Sequence, residues 1–164
     1  MNLVLDIGNT YFKLAIFQSC NLIYNFSDEN NKIHNKIPKI LNDYKHLSCV
    51  LISNVSSINV KSLFRQSNIK IYELDSSFKL PFTVKYKTPK TLGNDRLALA
   101  AAAATLYSNS NNIVIDAGTC ITVDFINDKN IFIGGSISPG IKMRYESLKA
   151  HTSNLPLLDK CSDV

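Results

Sequence analysis

No stretch of this 164-residue sequence is apolar for long enough to cross a bilayer. The longest apolar run, 97–107, is alanine-rich and well short of the roughly 20 residues that a spanning helix needs. A run of signal-peptide length is missing too, because Asp6 interrupts the first apolar residues, and the chain reads as a soluble cytoplasmic protein with no membrane partner. Cysteine and histidine are too scattered for metal-ligand spacing. Cys20, Cys49, Cys120 and Cys161 read as reduced, mostly buried thiols, and His34, His46 and His151 as surface or helix-end residues. A basic stripe interleaved with aromatics is also lacking. The net charge of +5 comes from lysines spread along the chain, which fits a solvated surface with mild steering of anions and excludes nucleic acid as the expected partner.

What is present is a hydrophobic content of 45%, enough for a core in one compact domain or two small lobes, and a short phrase that occurs twice. Leu5-Asp6-Ile7-Gly8-Asn9-Thr10 stands near the start, and Ile115-Asp116-Ala117-Gly118-Thr119 past the middle. Each copy follows a short apolar run and leads into alternating residues, Leu14 and Ile16 after the first, Ile121, Val123 and Phe125 after the second. The pattern predicts a β-hairpin whose turn carries a carboxylate. Gly8 and Gly118 are expected there because a backbone without Cβ bends tightly and lets its N–H groups approach an anion. Two such turns facing one another would grip a polyphosphate. Their carboxylates would hold a hard cation or order water around it, while Thr10 and Thr119 donate to phosphate oxygens. A lone copy reads equally well as an ordinary hairpin turn; repetition is what points to phosphate chemistry.

The chain reads as α/β. Strands are predicted at 2–6, 11–17 and 22–26, a helix within 31–44, a strand at 49–53, a helix near 59–66 and a strand at 70–74. The segment 76–90, with Pro81 and Pro89, is a linker candidate, and a strong helix follows at 94–106 with Asp95 in its first turn. The second half then restarts the opening pattern with strands at 113–116, 121–126 and 131–135, a glycine-rich loop at 134–140 and a helix to about 151. This divides the chain into a first lobe, 1–90, carrying the phosphate-binding hairpin and linker, and a helix with a partial second lobe, 91–164. Read as a duplication, the second lobe stops where the first still has alternating β and α elements to come.

In order and spacing, Asp6-Ile7-Gly8-Asn9-Thr10, Gly93-Asn94-Asp95-Arg96, Asp116-Ala117-Gly118-Thr119, and Gly134-Gly135 with Pro139-Gly140 resemble type III pantothenate kinase. That is one branch of the superfamily of acetate and sugar kinases, heat-shock chaperones and actin. The resemblance implies duplicated actin-like, ribonuclease H-like lobes with mixed sheets, the second incomplete. It also implies transfer of the γ-phosphate of ATP to pantothenate, giving 4'-phosphopantothenate, the first step of coenzyme A biosynthesis. By the same resemblance, Asp6, Ile7, Gly8, Asn9, Thr10, Tyr11, Phe12 and Lys13 cradle the nucleotide phosphates with Mg2+, and Thr119 adds a phosphate contact. Asp116 is associated with a monovalent cation, K+ or NH4+. Gly93, Asn94, Asp95 and Arg96 line the pantothenate site with Tyr86, and Asp95 matches the general base. Such enzymes are homodimers at full length.

Local chemistry agrees with these roles without requiring them. An aspartate is ionised at neutral pH and can accept a hydroxyl proton; it need not be a strong base, since phosphoryl transfer depends mostly on positioning and charge neutralisation. Arg96 offers a planar fork that suits the carboxylate of pantothenate. Taken alone, the same pair reads as a helix-capping carboxylate and its surface partner. Lys13 faces either phosphate or solvent, Tyr86 either substrate or the linker, and Asp124 is expected to point to solvent from the outer face of its strand. The 134–140 loop either binds an anion through its N–H groups or simply turns a strand into a helix with Pro139 near its first turn. Members of the family run longer. The alternatives are therefore a non-catalytic nucleotide-binding or regulatory relative, or an inactive fragment of the kinase, although a binding module has no need of a carboxylate at Asp95.

Overall fold

Alternation over the first seventeen residues produces a hairpin: β1 (Asn2–Ile7) passes through Gly8, Asn9 and Thr10 into β2 (Tyr11–Gln18), with Asp6 opposite Lys13 and Ile7 opposite Phe12. The structure is a computed structural model and describes residues 1–65, 67–75 and 78–158. Contacts divide the chain into two compact units, Met1–Lys79 with Lys90–Ala98, and Leu80–Pro89 with the residues from Leu99 onward. The helix α2 (Asn94–Leu106) starts in the first unit and ends in the second.

The first unit continues with β3 (Asn21–Glu29), α1 (Ile33–Asp43), β4 (Cys49–Asn54) and β5 (Lys70–Glu73). Its five strands lie in the order β3-β2-β1-β4-β5, with β1, β4 and β5 parallel and the hairpins antiparallel. Period two puts Leu3, Leu5, Ile7, Phe12, Leu14 and Ile16 on one face. Period 3.6 puts Ile33, Ile37 and Ile40 on one stripe of α1, and these residues share one buried core with Val50, Ile52 and Phe64. The helix expected near 59–66 contracts to a 3-10 turn at Lys61–Phe64. Both the N–H and the hydroxyl of Ser67 donate to the Phe64 carbonyl, which diverts the backbone from continuing as a helix.

The second unit holds β6 (Thr83–Val84), β7 (Asn112–Ala117), β8 (Cys120–Ile126), β9 (Ile131–Pro139) and α3 (Ile141–Ala150). Its sheet runs β6-β9-β8-β7, with β6 parallel to β9 and the rest antiparallel. Here the sequence reading needs correcting. The stretch expected to be a loop at 134–140 stays paired with β8 as far as Pro139, so Pro139 ends a strand and Gly140 is the N-cap of α3. A register shift lets this happen: Phe125 pairs with Gly134 but Ile126 with Phe132, leaving Ile133 as the extra residue beside Gly134, whose φ of 137° an L side chain rarely adopts.

Cysteine burial also differs from expectation. Cys20 is exposed, Cys49 and Cys120 are half-buried, and all three are free thiols, while Cys161 lies outside the described residues. Cys20 sits in the tight turn between β2 and β3, where no layer covers it. His34, His46 and His151 are exposed as expected. Among the described residues no helix is long and apolar enough to cross a membrane.

Candidate functional site

The first turn is held from behind. Gly8 N–H donates to Tyr11 O at 3.0 Å, closing the hairpin. Asn30, just past β3, then donates its N–H to Thr10 O at 3.0 Å and its Nδ2 to Gly8 O at 2.8 Å. Two carbonyl oxygens that would repel a phosphate are thereby engaged. Asp6 lies one residue before the strand end, and Ser53 of β4 donates its hydroxyl to Asp6 Oδ1 at 3.0 Å. The register sets Lys13 and Ser53 on either side of Asp6, so all three share one sheet face. Ser53 is buried, which fixes the carboxylate that it contacts.

The Gly93-Asn94-Asp95-Arg96 segment arrives at the same end of the first sheet. Val55, just after β4, donates its N–H to Ile7 O at 3.0 Å, Asn94 Nδ2 reaches Asn54 O at 3.5 Å, and Gly93 lies against the Val55 side chain. This is the carboxyl end of the parallel pair β1 and β4, where open α/β sheets bind their ligands. Asp95 Oδ1 accepts the Arg96 N–H at 2.8 Å, and its carboxylate folds over Gly93 so closely that a Cβ there would collide with it. Gly93 leaves the space that the Asp95 carboxylate occupies, a role that its place in the sequence motif does not disclose.

The turn of the second unit has parallel construction. Gly118 N–H donates to Cys120 O at 2.9 Å, and Gly140 N–H donates to Thr119 O at 2.9 Å. A Cβ on Gly140 would strike the Gly118 and Thr119 carbonyls, so only glycine lets this junction close on the turn. Asp116 lies across from Thr122 in the β7–β8 pair. Asp124, expected at solvent, is 2% exposed. It sits on the central strand β8, and Gly135 opposite it has no Cβ, which leaves room for the carboxylate. Tyr86 also belongs to this unit; its ring meets Phe132 edge-on at 6.4 Å between centroids and lies over Gly134.

Glycine serves the two turns differently: Gly118 has room for a side chain, whereas a Cβ on Gly8 would press on a backbone carbonyl. Neither adopts a positive φ; among the described glycines only Gly134 does. A Cβ on Gly8 would come within 3.2 Å of Tyr11 O, and one on Gly118 no closer than 3.9 Å to its nearest neighbour, Cys120 O. Ser53 and Asn30 carry no signal in the sequence, because their importance depends on β4 pairing with β1 and on the β3 exit closing over the turn. Among the described residues no three His, Cys, Asp or Glu side chains gather into a metal site.

A hairpin with an aspartate one residue before the end of its first strand, repeated in two mixed-sheet units and followed in each by a further strand and a helix, defines a duplicated actin-like fold. A Sinorhizobium meliloti protein described as a 2-dehydro-3-deoxygalactonokinase shares this fold with a TM-score of 0.55 at 14% identity, over 93% of this chain and 57% of that one. A Campylobacter jejuni protein described as a Baf family transcriptional activator aligns at TM-score 0.59 with 27% identity, over 92% of this chain and 60% of that one. The chain belongs to the type III pantothenate kinase family, whose model matches residues 2–163. Type III pantothenate kinases from Flavobacterium johnsoniae and Phocaeicola vulgatus are 41% and 38% identical to it, over 96% and 100% of this chain and 65% and 68% of theirs. The chain thus spans about two thirds of the length of these curated relatives.

Proposed function

We propose that the chain carries the first two thirds of an ATP-dependent pantothenate kinase, a cytoplasmic enzyme that converts pantothenate to 4'-phosphopantothenate at the start of coenzyme A biosynthesis and is a homodimer at full length. The observation that carries this reading is the convergence of the Asp6 turn and the Asp95 segment at one end of the β1–β4 pair. A phosphate cradle and a proton acceptor on one sheet end are what phosphoryl transfer to an alcohol requires.

In this reading the backbone from Asp6 to Lys13 holds the ATP phosphates, with Asn30 keeping the turn's carbonyls engaged. Arg96 takes the pantothenate carboxylate, Gly93 and Asn94 shape the pocket, and Asp95 accepts the proton of the primary hydroxyl as its oxygen bonds to the γ-phosphorus and ADP leaves. Thr119 and Tyr86 are assigned phosphate and pantothenate contacts by resemblance to the family. Mg2+ would neutralise charge on the phosphates, and Asp6 suits it, since that ion keeps waters and phosphate oxygens and needs few carboxylates from the protein. A monovalent cation, K+ or NH4+, is assigned to Asp116.

The test is ATP consumption by the purified chain with magnesium and potassium, with and without pantothenate, beside a version extended through the remaining third of the family's length. Pantothenate-dependent turnover by either form supports the reading; turnover by neither favours a nucleotide-binding relative without chemistry. In the active form, Asp95→Asn should lower kcat by about 10²–10⁴-fold, the usual contribution of a positioned acid–base group, with ATP binding nearly unchanged. Loss of ATP binding as well would remove Asp95 from the proton-accepting role.

A further inference from the structure

Helix α1 carries a polar stripe beside its buried isoleucines. Lys32, Asn35, Lys36 and Lys39 recur at the spacing of one helical face, and with Phe26 and Asp28 of β3 they line a groove of about 270 Å³. Lys32 is paired with Asp28, while Lys36 donates to the Tyr24 hydroxyl at 2.8 Å and covers the Phe26 ring. The groove therefore sets three lysines against one carboxylate. Its rim is the free edge of the first sheet, since β3 is an end strand. The N–H of Asn30 donates to Thr10 O, and in an antiparallel ladder bonded pairs alternate with unbonded ones. Phe12 with Asp28 and Leu14 with Phe26 are thus bonded pairs, and Asn25 and Ser27 turn their backbone N–H and C=O groups to the open edge. No proline or lysine in β3 guards that edge.

We propose that this edge and groove bind an acidic polypeptide segment as an added strand, with its alternate carboxylates on the lysine stripe. A strand paired with Asn25 and Ser27 places every second side chain on the face of Phe26 and Asp28, the face that α1 covers. Those side chains meet Lys36 and Lys39, and charge complementarity selects carboxylates there. The docking strip ends at Glu29, whose N–H is already given to Asp28 Oδ1. Nucleic acid fits less well, because the ring that lines the groove, Phe26, is covered by Lys36 and offers no open face for a base to stack on. The proposal is independent of the kinase reading, since it uses neither the Asp6 turn nor the Asp95 segment.

The probe is a short capped peptide that alternates glutamate and threonine, titrated into the full 164-residue chain and followed by NMR. The Asn25 and Ser27 amides should shift and become protected from hydrogen exchange, and affinity should fall as salt is raised. Lys39→Glu, at an exposed position, should weaken binding roughly 3–10-fold without moving the Tm. Ser27→Pro, which removes an outward donor from the edge, should abolish binding. The same peptide N-methylated at the residues that face β3 keeps its charge and should not bind, which tests the added strand even where Ser27→Pro fails to fold. Equal binding of the methylated peptide, or of one with lysine in place of glutamate, overturns the proposal. A response of the groove lysines to inorganic pyrophosphate or to an oligonucleotide, with none to the peptide, overturns it too and makes the groove a site for another kind of anion.

Discussion

In the first unit the N–H of Asn30 closes on the carbonyl of Thr10 at 3.0 Å; in the second the N–H of Gly140 closes on that of Thr119 at 2.9 Å. Each donor follows the strand after its unit's hairpin, β3 in one and β9 in the other, and each precedes a helix. The strands behind the turns fare differently. β1 has β2 on one side and β4 on the other, with α1 in the core that covers its apolar face, and Leu3 and Leu5 are 0% exposed. β7 lies at the edge of its sheet, and Ile113 and Ile115, at the corresponding positions before the aspartate, are 69% and 65% exposed. The aspartate-bearing turn is therefore a local device, set by a hairpin and one junction. Burial of the strands that carry it needs elements from elsewhere.

The sharpest way to break this comparison is to truncate matched residues. Leu5→Ala should cost about 2–5 kcal/mol in denaturant unfolding, because it opens a cavity in a packed core. Ile115→Ala should stay within about 0.5 kcal/mol, as surface changes do. Equal losses would mean that β7 is covered in solution. The double change Ile113→Lys with Ile115→Lys should raise solubility without loss of Tm, since it removes an apolar patch and charges an edge strand.

Next in size is the backbone behind the turns. Gly140→Ala should destabilise by about 1–3 kcal/mol, since its Cβ meets two carbonyl groups that cannot swing aside. Gly118→Ala, with open space and no positive φ, should unfold at the wild-type midpoint and show its effect only as weakened ATP binding in a calorimetric titration. A fall in stability for Gly118→Ala as large as that for Gly140→Ala would contradict the division between closing the turn and admitting a ligand.

Helix α3 sharpens the contrast at lower cost. It has no buried residue, and it is tied to β9 through Arg144, whose Nε donates to Pro139 O at 2.8 Å and Nη2 to Ser138 Oγ at 3.2 Å. α1 buries Ile33, Ile37 and Ile40 instead. Amide hydrogen exchange should therefore be faster in α3 than in α1 by at least about 10²-fold, and Arg144→Met should widen the gap. Comparable protection would show α3 packed against something in solution.

Much of this fold is legible in the sequence because the signals are local. Period-two alternation locates the hairpins at both Asp6 and Asp116, and the alanine-rich run locates α2 to within its ends. The repeated Asp-x-Gly phrase locates both turns. What escapes is decided by pairing across the chain. Asp124 reads as an outward residue until β8 is known to be central, and the 134–140 segment reads as a loop until β8 is known to hold its whole length. Ser53 ends an apolar strand unremarkably until that strand is set beside β1 in the register that meets Asp6. Gly93 reads as part of the Gly93-Asn94-Asp95-Arg96 motif, and only the structure shows the Asp95 carboxylate lying close over it.

The smallest expected effect concerns how α1 meets β3, the counterpart of the Arg144 tie. Lys32 Nζ and Asp28 Oδ1 are 2.7 Å apart, and Lys36 Nζ stands 3.7 Å over the Phe26 ring. The hydrogen bond from Lys32, with the Glu29 N–H, lowers the Asp28 pKa below the usual carboxylate value, and the bond to Asp28 raises that of Lys32. A depressed carboxylate pKa stabilises the fold above its unfolded value of about 3.9, and that stabilisation is lost as pH falls through the lower folded value. The raised lysine pKa works in the opposite sense, stabilising below about 10.4 and losing its effect as pH rises through the higher folded value. Both groups are solvated, so the Tm difference between wild type and Lys32→Met should be small at neutral pH and vanish in acid. In the variant, the NMR titration of Asp28 should move up towards the ordinary aspartate value. An unmoved titration would mean that the pair is not formed in solution, leaving the aromatic contact of Lys36 and the three buried isoleucines to hold α1 on its strand.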